Sequence, residues 1–175
     1  MASKSNTQAA FQSACQAGDL SEVRRLLAVD GACRVDVHAD STACLRMACV
    51  RNHVQVVHEL LELDGDRRVD VHARQEHAFR LSCAQGLLHL VRELLALGGD
   101  RRVDVHAEGE WAFLAACRAG HLGVVRELLA LEGDRRIDVH AANGEAFAVA
   151  CDRGQTAVVR ELLALTGGRR IDVHV

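Results

Sequence analysis

An all-α array of five helix-turn-helix repeats is the fold this sequence predicts, and three observations predict it. The tetrapeptide Asp-Val-His-Ala starts at Asp36, Asp70, Asp104 and Asp138, and Asp-Val-His returns at Asp172, always at a step of 34 residues. Cysteine keeps that step at Cys15, Cys49, Cys83, Cys117 and Cys151, and a Leu-Leu pair follows at Leu26, Leu60, Leu94, Leu128 and Leu162. The chain has no proline and few aromatic residues, so Leu, Val and Ala build a core in which helix formers dominate.

Residues 1–7 read as a polar tail, and 8–175 as one repeat domain with units at about 8–41, 42–75, 76–109, 110–143 and 144–175. In the fourth unit Ala112, Phe113, Ala116 and Cys117 fall at helical spacing, and Gly120 supplies the left-handed stop of a first helix. Leu122, Val124, Val125, Leu128, Leu129 and Leu131 form a wider apolar stripe ended by Gly133, which predicts a second, longer helix. From Asp134 to Ala141, Ile137 and Val139 alternate with polar neighbours, so this stretch is expected to run extended to the next unit.

Lys and Arg total 21 against 24 Asp and Glu, a net charge of −3, which argues against nucleic acid as partner. No apolar run reaches the ~18 to 20 residues that span a bilayer, and Met1–Thr7 lacks the charged stub and apolar run of a leader. An intracellular protein, cytoplasmic or nuclear and without a membrane partner, is expected. Seven cysteines, an odd number spaced along an array, are expected to stay reduced, the column's members standing too far apart to pair.

The period of 34 also fits the tetratricopeptide repeat, but that repeat has no extended crossing segment such as the one around Asp-Val-His-Ala. The fourth unit reads Trp111-Ala112-Phe113-Leu114-Ala115-Ala116-Cys117-Arg118-Ala119-Gly120-His121, then Val124-Val125, Leu128-Leu129, Gly133 and Asp138-Val139-His140-Ala141. This resembles the ankyrin repeat, over about residues 8 to 175. The family's Thr-Pro-Leu-His box is replaced throughout, by His77-Ala78-Phe79-Arg80 for instance, three residues such as Arg135-Arg136-Ile137 are added, and the finger at Ala141 to Glu145 is short. The resemblance implies a solenoid with short extended connecting loops and no cofactor. It also implies non-catalytic binding of another protein through the fingers and the concave face of the first helices.

The cysteine column falls where the resemblance places a small buried residue, so it reads as packing. Cys33 and Cys44 lie outside that column; Cys33 takes the place of Arg67, Arg101, Arg135 and Arg169 and is expected to be exposed. Cys49 with His53, and Cys117 with His121, have half the spacing of a zinc site, but Leu87 and Gln155 hold the histidine column elsewhere, so no metal is expected. The ladder His38, His72, His106, His140 and His174 is expected to bond neighbouring loop backbone. The pairs Arg67-Arg68, Arg101-Arg102, Arg135-Arg136 and Arg169-Arg170 offer an alternative function, nucleic-acid or phosphate binding, though the flanking aspartates suggest local charge pairing. No catalytic constellation recurs.

Columns that vary between copies are those the fold does not dictate, and they supply the candidate partner-binding residues. These are Arg51, Glu76, His77, Gln85, Glu110, Trp111, Arg118, Glu145, Asp152 and Arg153. Trp111 leads, because Ala43, His77 and Glu145 hold its column elsewhere and tryptophan is enriched in binding hot spots. At the ends, Glu22 replaces Val56, Leu90, Val124 and Val158, and Ser13 replaces Met47, Leu81, Ala115 and Val149, so both columns are expected to face the preceding unit. Leu162, Leu163 and Leu165 make no such polar swap, which predicts an apolar face on the fifth unit and end-on self-association through it.

Overall fold

The computed structural model describes residues 4–171, and every regular element among them is a helix or a 3₁₀ turn. The all-α repeat class is the one observed. Contacts divide the chain into two compact units, Met1–Ala78 and Phe79–Val175; in repeats that touch only their neighbours, no single core has to run the whole length.

In the first unit, helix α1 (Lys4–Ala17) packs on α2 (Leu20–Leu27) and α3 (Ala39–Val50), and α4 (Val54–Leu61) packs on α2 and α3. Residues 4–7, expected in a polar tail, are helical, with Thr7 buried. The second unit holds the C-terminal half of α5 (Ala73–Ala84), then α6 (Leu88–Leu95), α7 (Ala107–Ala119), α8 (Leu122–Leu129), α9 (Ala141–Asp152) and α10 (Thr156–Leu163). There α7 packs on α8 and α9, and α8 packs on α6 and α10.

Glycine ends the first helix as expected: Gly120 takes φ +77, and its N–H bonds back to the carbonyls of α7. The site also has no room for a side chain, since a Cβ there would run into the Gln155 amide. The second helix is the shorter of the two, not the longer: α8 has 8 residues and α7 has 13. Leu131 lies beyond α8 because the chain tightens there, Ala130 bonding to Arg126 and Leu128 and Leu131 to Leu128. The segment after it is extended only in part. It opens with a 3₁₀ turn at Gly133–Arg135, after which Ile137 and Val139 turn inward and are buried.

Helices α5, α7 and α9 each open with a short left-handed turn in place of a finger. Glu108, Gly109 and Glu110 take φ of 56, 65 and 65, and Arg74–Glu76 and Ala142–Gly144 do the same. Such backbone costs a non-glycine residue about 1–2 kcal/mol, and the anchoring of Glu110 described below offsets that cost.

The core follows the columns. Phe11, Phe79 and Phe113 are buried, as are Cys15, Cys49, Cys83 and Cys117 and the column of Val56, Leu90, Val124 and Val158. The Ser13 column behaves differently: Met47 is 36% exposed and Leu81, Ala115 and Val149 are half-buried, so it lies along the open face of the first helices, not against a preceding unit. Fifth-unit positions are opened in turn, with Cys151 exposed, Phe147 half-buried and Leu163 48% exposed.

Candidate functional site

Three first helices, α1, α5 and α7, are held by side chains that reach them from the next repeat. His53 donates from Nε2 to the Gln16 carbonyl at 2.9 Å, His121 to Ala84 at 3.0 Å, and the Gln155 amide to Arg118 at 3.1 Å. These bonds satisfy carbonyls that a helix C-terminus leaves open. The opposite faces of α3, α7 and α9 stay clear, and the candidate residues on them can be placed one by one.

Arg51 closes α3 and is exposed. Beside it in the same unit, Met47 and Val50 expose 36% and 39% at helical spacing; Val50 lies in a variable column, whereas the sequence assigns Met47 to an inter-unit column. His77 is half-buried. In the second unit Gln85, Arg118, Glu145, Asp152 and Arg153 are exposed, Arg118 on α7, Glu145 and Asp152 on the neighbouring α9, and Arg153 at the end of α9. Trp111 is half-buried with the Arg80 guanidinium 5.2 Å from its ring centroid. This cation–π contact fixes the ring while leaving part of it open.

Glu76 and Glu110 do not belong to that surface. They expose 3% and 6%, because the left-handed turn folds their carboxylates inward onto the preceding histidines. The Glu76 carboxylate lies 2.5 Å from His72 Nδ1, and that of Glu110 lies 2.6 Å from His106 Nδ1. Glu110 also accepts from the Asp138 N–H at 3.2 Å, and His106 Nε2 donates to the Asp134 carbonyl at 2.8 Å. Variation in this column reflects the choice of partner for a histidine, not the choice of a ligand. The histidine ladder does bond loop backbone as expected, His38 reaching Asp66 and His140 reaching Gly168. His174 lies outside the described residues.

Both acceptors around His106 favour a ring carrying two protons, so Glu110 first, helped by the Asp134 carbonyl, raises its pKa above 6.5 against the opposing effect of burial. The folded chain therefore holds a proton that the unfolded chain releases. The resulting stabilisation is complete below pH 6.5 and is lost as pH rises through the folded value. Melting temperature is expected to fall between about pH 6 and about pH 8, and to fall less in Glu110→Gln. Parallel pH profiles for the two proteins in thermal melts contradict this.

The arginine stripe is committed to the fold. Arg67 donates to the carbonyls of Leu27 and Val29, Arg135 to Leu95 at 3.1 Å and Arg169 to Leu129 at 2.8 Å. Each caps the end of a second helix in the preceding repeat, where a cation also meets the negative end of the helix dipole. The following arginine pairs across repeats rather than locally: Arg34 makes two bonds to Asp66 at 2.7 and 2.8 Å, and Arg102 two to Asp134 at 2.7 and 2.6 Å. Cys33 is thereby explained. Among the described residues no second helix precedes α1, so its repeat needs no capping arginine, and the thiol is half-buried in the 3₁₀ turn Gly31–Cys33 rather than exposed.

No disulfide joins any two of the seven cysteines in the structure. Burial pushes the Cys117 thiol up to about 12 and raises Cys83 as well, which keeps both protonated and unreactive. Among the described residues no group of three or more His, Cys, Asp or Glu side chains is placed to hold a metal ion, and no helix is long and apolar enough to cross a membrane.

Compared with known proteins, residues 79–174 match the family model described as ankyrin repeats, in three copies. No curated protein matches the chain.

Proposed function

This chain belongs to the ankyrin-repeat family, whose members are generally protein-interaction modules, and from that premise we propose that it is a non-catalytic module binding another protein through the first-helix surface. The observation that carries the reading is a division of labour between side chains. The arginines at the loop edge are spent on helix caps and cross-repeat pairs, whereas Arg118 on α7 and Glu145, Asp152 and Arg153 on and beside α9 are exposed. A planar aromatic held by Arg80, on a helix that also exposes charge, suits an interface centre with a polar rim. Reduced, buried thiols suit a reducing compartment, cytoplasmic or nuclear.

The experiment is capture of partners from source lysate, followed by affinity measurement with Trp111→Ala and with Arg102→Glu plus Arg136→Glu. Trp111→Ala is expected to weaken binding about tenfold, since part of the ring is already covered. If the arginine pair abolishes binding and Trp111→Ala leaves it intact, the alternative reading through the arginine stripe takes its place.

A second reading, end-on self-association, is favoured by the 48% exposure of Leu163 on α10 beside exposed Cys151 and half-buried Phe147. Sedimentation is expected to show dimers of the wild type that Leu163→Gln dissociates; a monomer at every concentration removes it.

A further inference from the structure

Cys44 is the one cysteine that neither the repeat pattern nor a cap accounts for. Its column holds alanine in every other copy, at Ala10, Ala78, Ala112 and Ala146. The substitution is not scattered at random over the fold. Helix α1 carries Cys15 and packs against α3, which carries Cys44. Both side chains are buried, at 0% and 3% exposure. The two thiols are neighbours across that helix interface, each perturbing the other's ionisation, and Cys44 Sγ donates to the Val37 carbonyl at 3.3 Å. At the equivalent positions three repeats on, α7 carries Cys117 and packs on α9, which carries Ala146, so the column's thiol there has no second sulfur opposite it. The spacing of the main cysteine column leaves no room for a disulfide, but Cys44 brings a second sulfur to the first member of that column.

We propose that Cys15 and Cys44 form an oxidisable dithiol, a modification site that a low-molecular-weight disulfide of the oxidised-glutathione class converts into a cross-link between the first two repeats. The step balances as a two-electron exchange. The Cys44 thiolate attacks one sulfur of the oxidant, forming a mixed disulfide and expelling one thiolate. Cys15 then loses its proton and attacks Cys44 Sγ, closing the protein S–S bond and expelling the second. The protein gives up two protons and two electrons, and the oxidant leaves as two thiols. The exchange balances identically with the two sulfurs interchanged. Since neither sulfur meets solvent in the closed fold, the reaction passes through local opening of α1. Once formed, the bond ties α1 to α3 and lowers the entropy of the unfolded chain.

The test uses the full-length protein and oxidised glutathione as probe, with thiols blocked afterwards under denaturing conditions. Cleavage after Lys and Arg puts Cys15 in the peptide 5–24, Cys44 in 35–46 and Cys33 in 26–34, so the pairing is read directly. The expected result is a 5–24 to 35–46 cross-link lighter by two hydrogens, five remaining thiols, and a higher melting temperature that reduction reverses. Cys44→Ala, which carries the residue of the other copies and so keeps the packing, is expected to show neither the cross-link nor the shift. Recovery of both thiols free, glutathione adducts in place of the cross-link, or a bond mapped to any other cysteine overturns the proposal.

Discussion

Phe113→Ala is expected to destabilise the second unit by about 3–5 kcal/mol, while Phe147→Ala, one repeat further in the same column, costs well under half as much. Phe113 is closed in on all sides, at 1% exposure, between α7 and its neighbours, so its removal forfeits the whole transfer term and leaves a cavity that rigid helices cannot fill. Phe147 is half-buried on α9, where water already reaches the ring and enters the space the ring leaves. Urea unfolding followed by circular dichroism measures both. Equal losses contradict the gradient of packing from α7 to α9.

Cys117→Leu is expected to cost about 2–3 kcal/mol by overpacking, whereas Cys151→Leu changes stability little. Cys117 is fully buried on α7, and the larger side chain has to push the neighbouring helix away or take a strained rotamer. Cys151 occupies the same column but is exposed on α9, so the added carbons meet solvent. The column therefore reads as packing in its first four members and not in its fifth. Thermal melts of the two variants decide it, and similar shifts would falsify the distinction.

Most of the fold was legible because it is local and repeated. The 34-residue period, the glycine stop at Gly120 and the buried columns through Phe113, Cys117 and Val124 all follow from spacing within one unit. What was misread lies across the period. Arg135 looks like a surface cation until its acceptor is found 40 residues earlier at Leu95, and Arg102 finds its aspartate 32 residues later at Asp134. No window of one unit contains either contact. Glu110 was mistaken for surface because its column varies, although its burial follows from a left-handed turn that nothing in Glu108-Gly109-Glu110 besides the glycine announces. The candidate site was legible in part: Trp111, Arg118 and Glu145 are where the variable columns put them, but Met47 became visible only once its helix face was known.

The caps that join one repeat to the next have a consequence for inheritance. Three side-chain contacts that join α8 and α10 to the preceding repeat recur at a fixed offset, so a loss of one whole period rebuilds them from parts already present. Without residues 110–143, Arg169 meets the Leu95 carbonyl that Arg135 served, Glu161 meets Arg92 in place of Glu127, and Gln155 meets Ala84 in place of His121. The breakpoint can fall anywhere in the period, since donor and acceptor are carried out together. Slippage between misaligned copies of the gene thus yields shorter chains that keep these caps, although Arg102 then faces Gly168 where Asp134 stood and loses its ion pair, while a deletion out of phase by a single residue breaks them all.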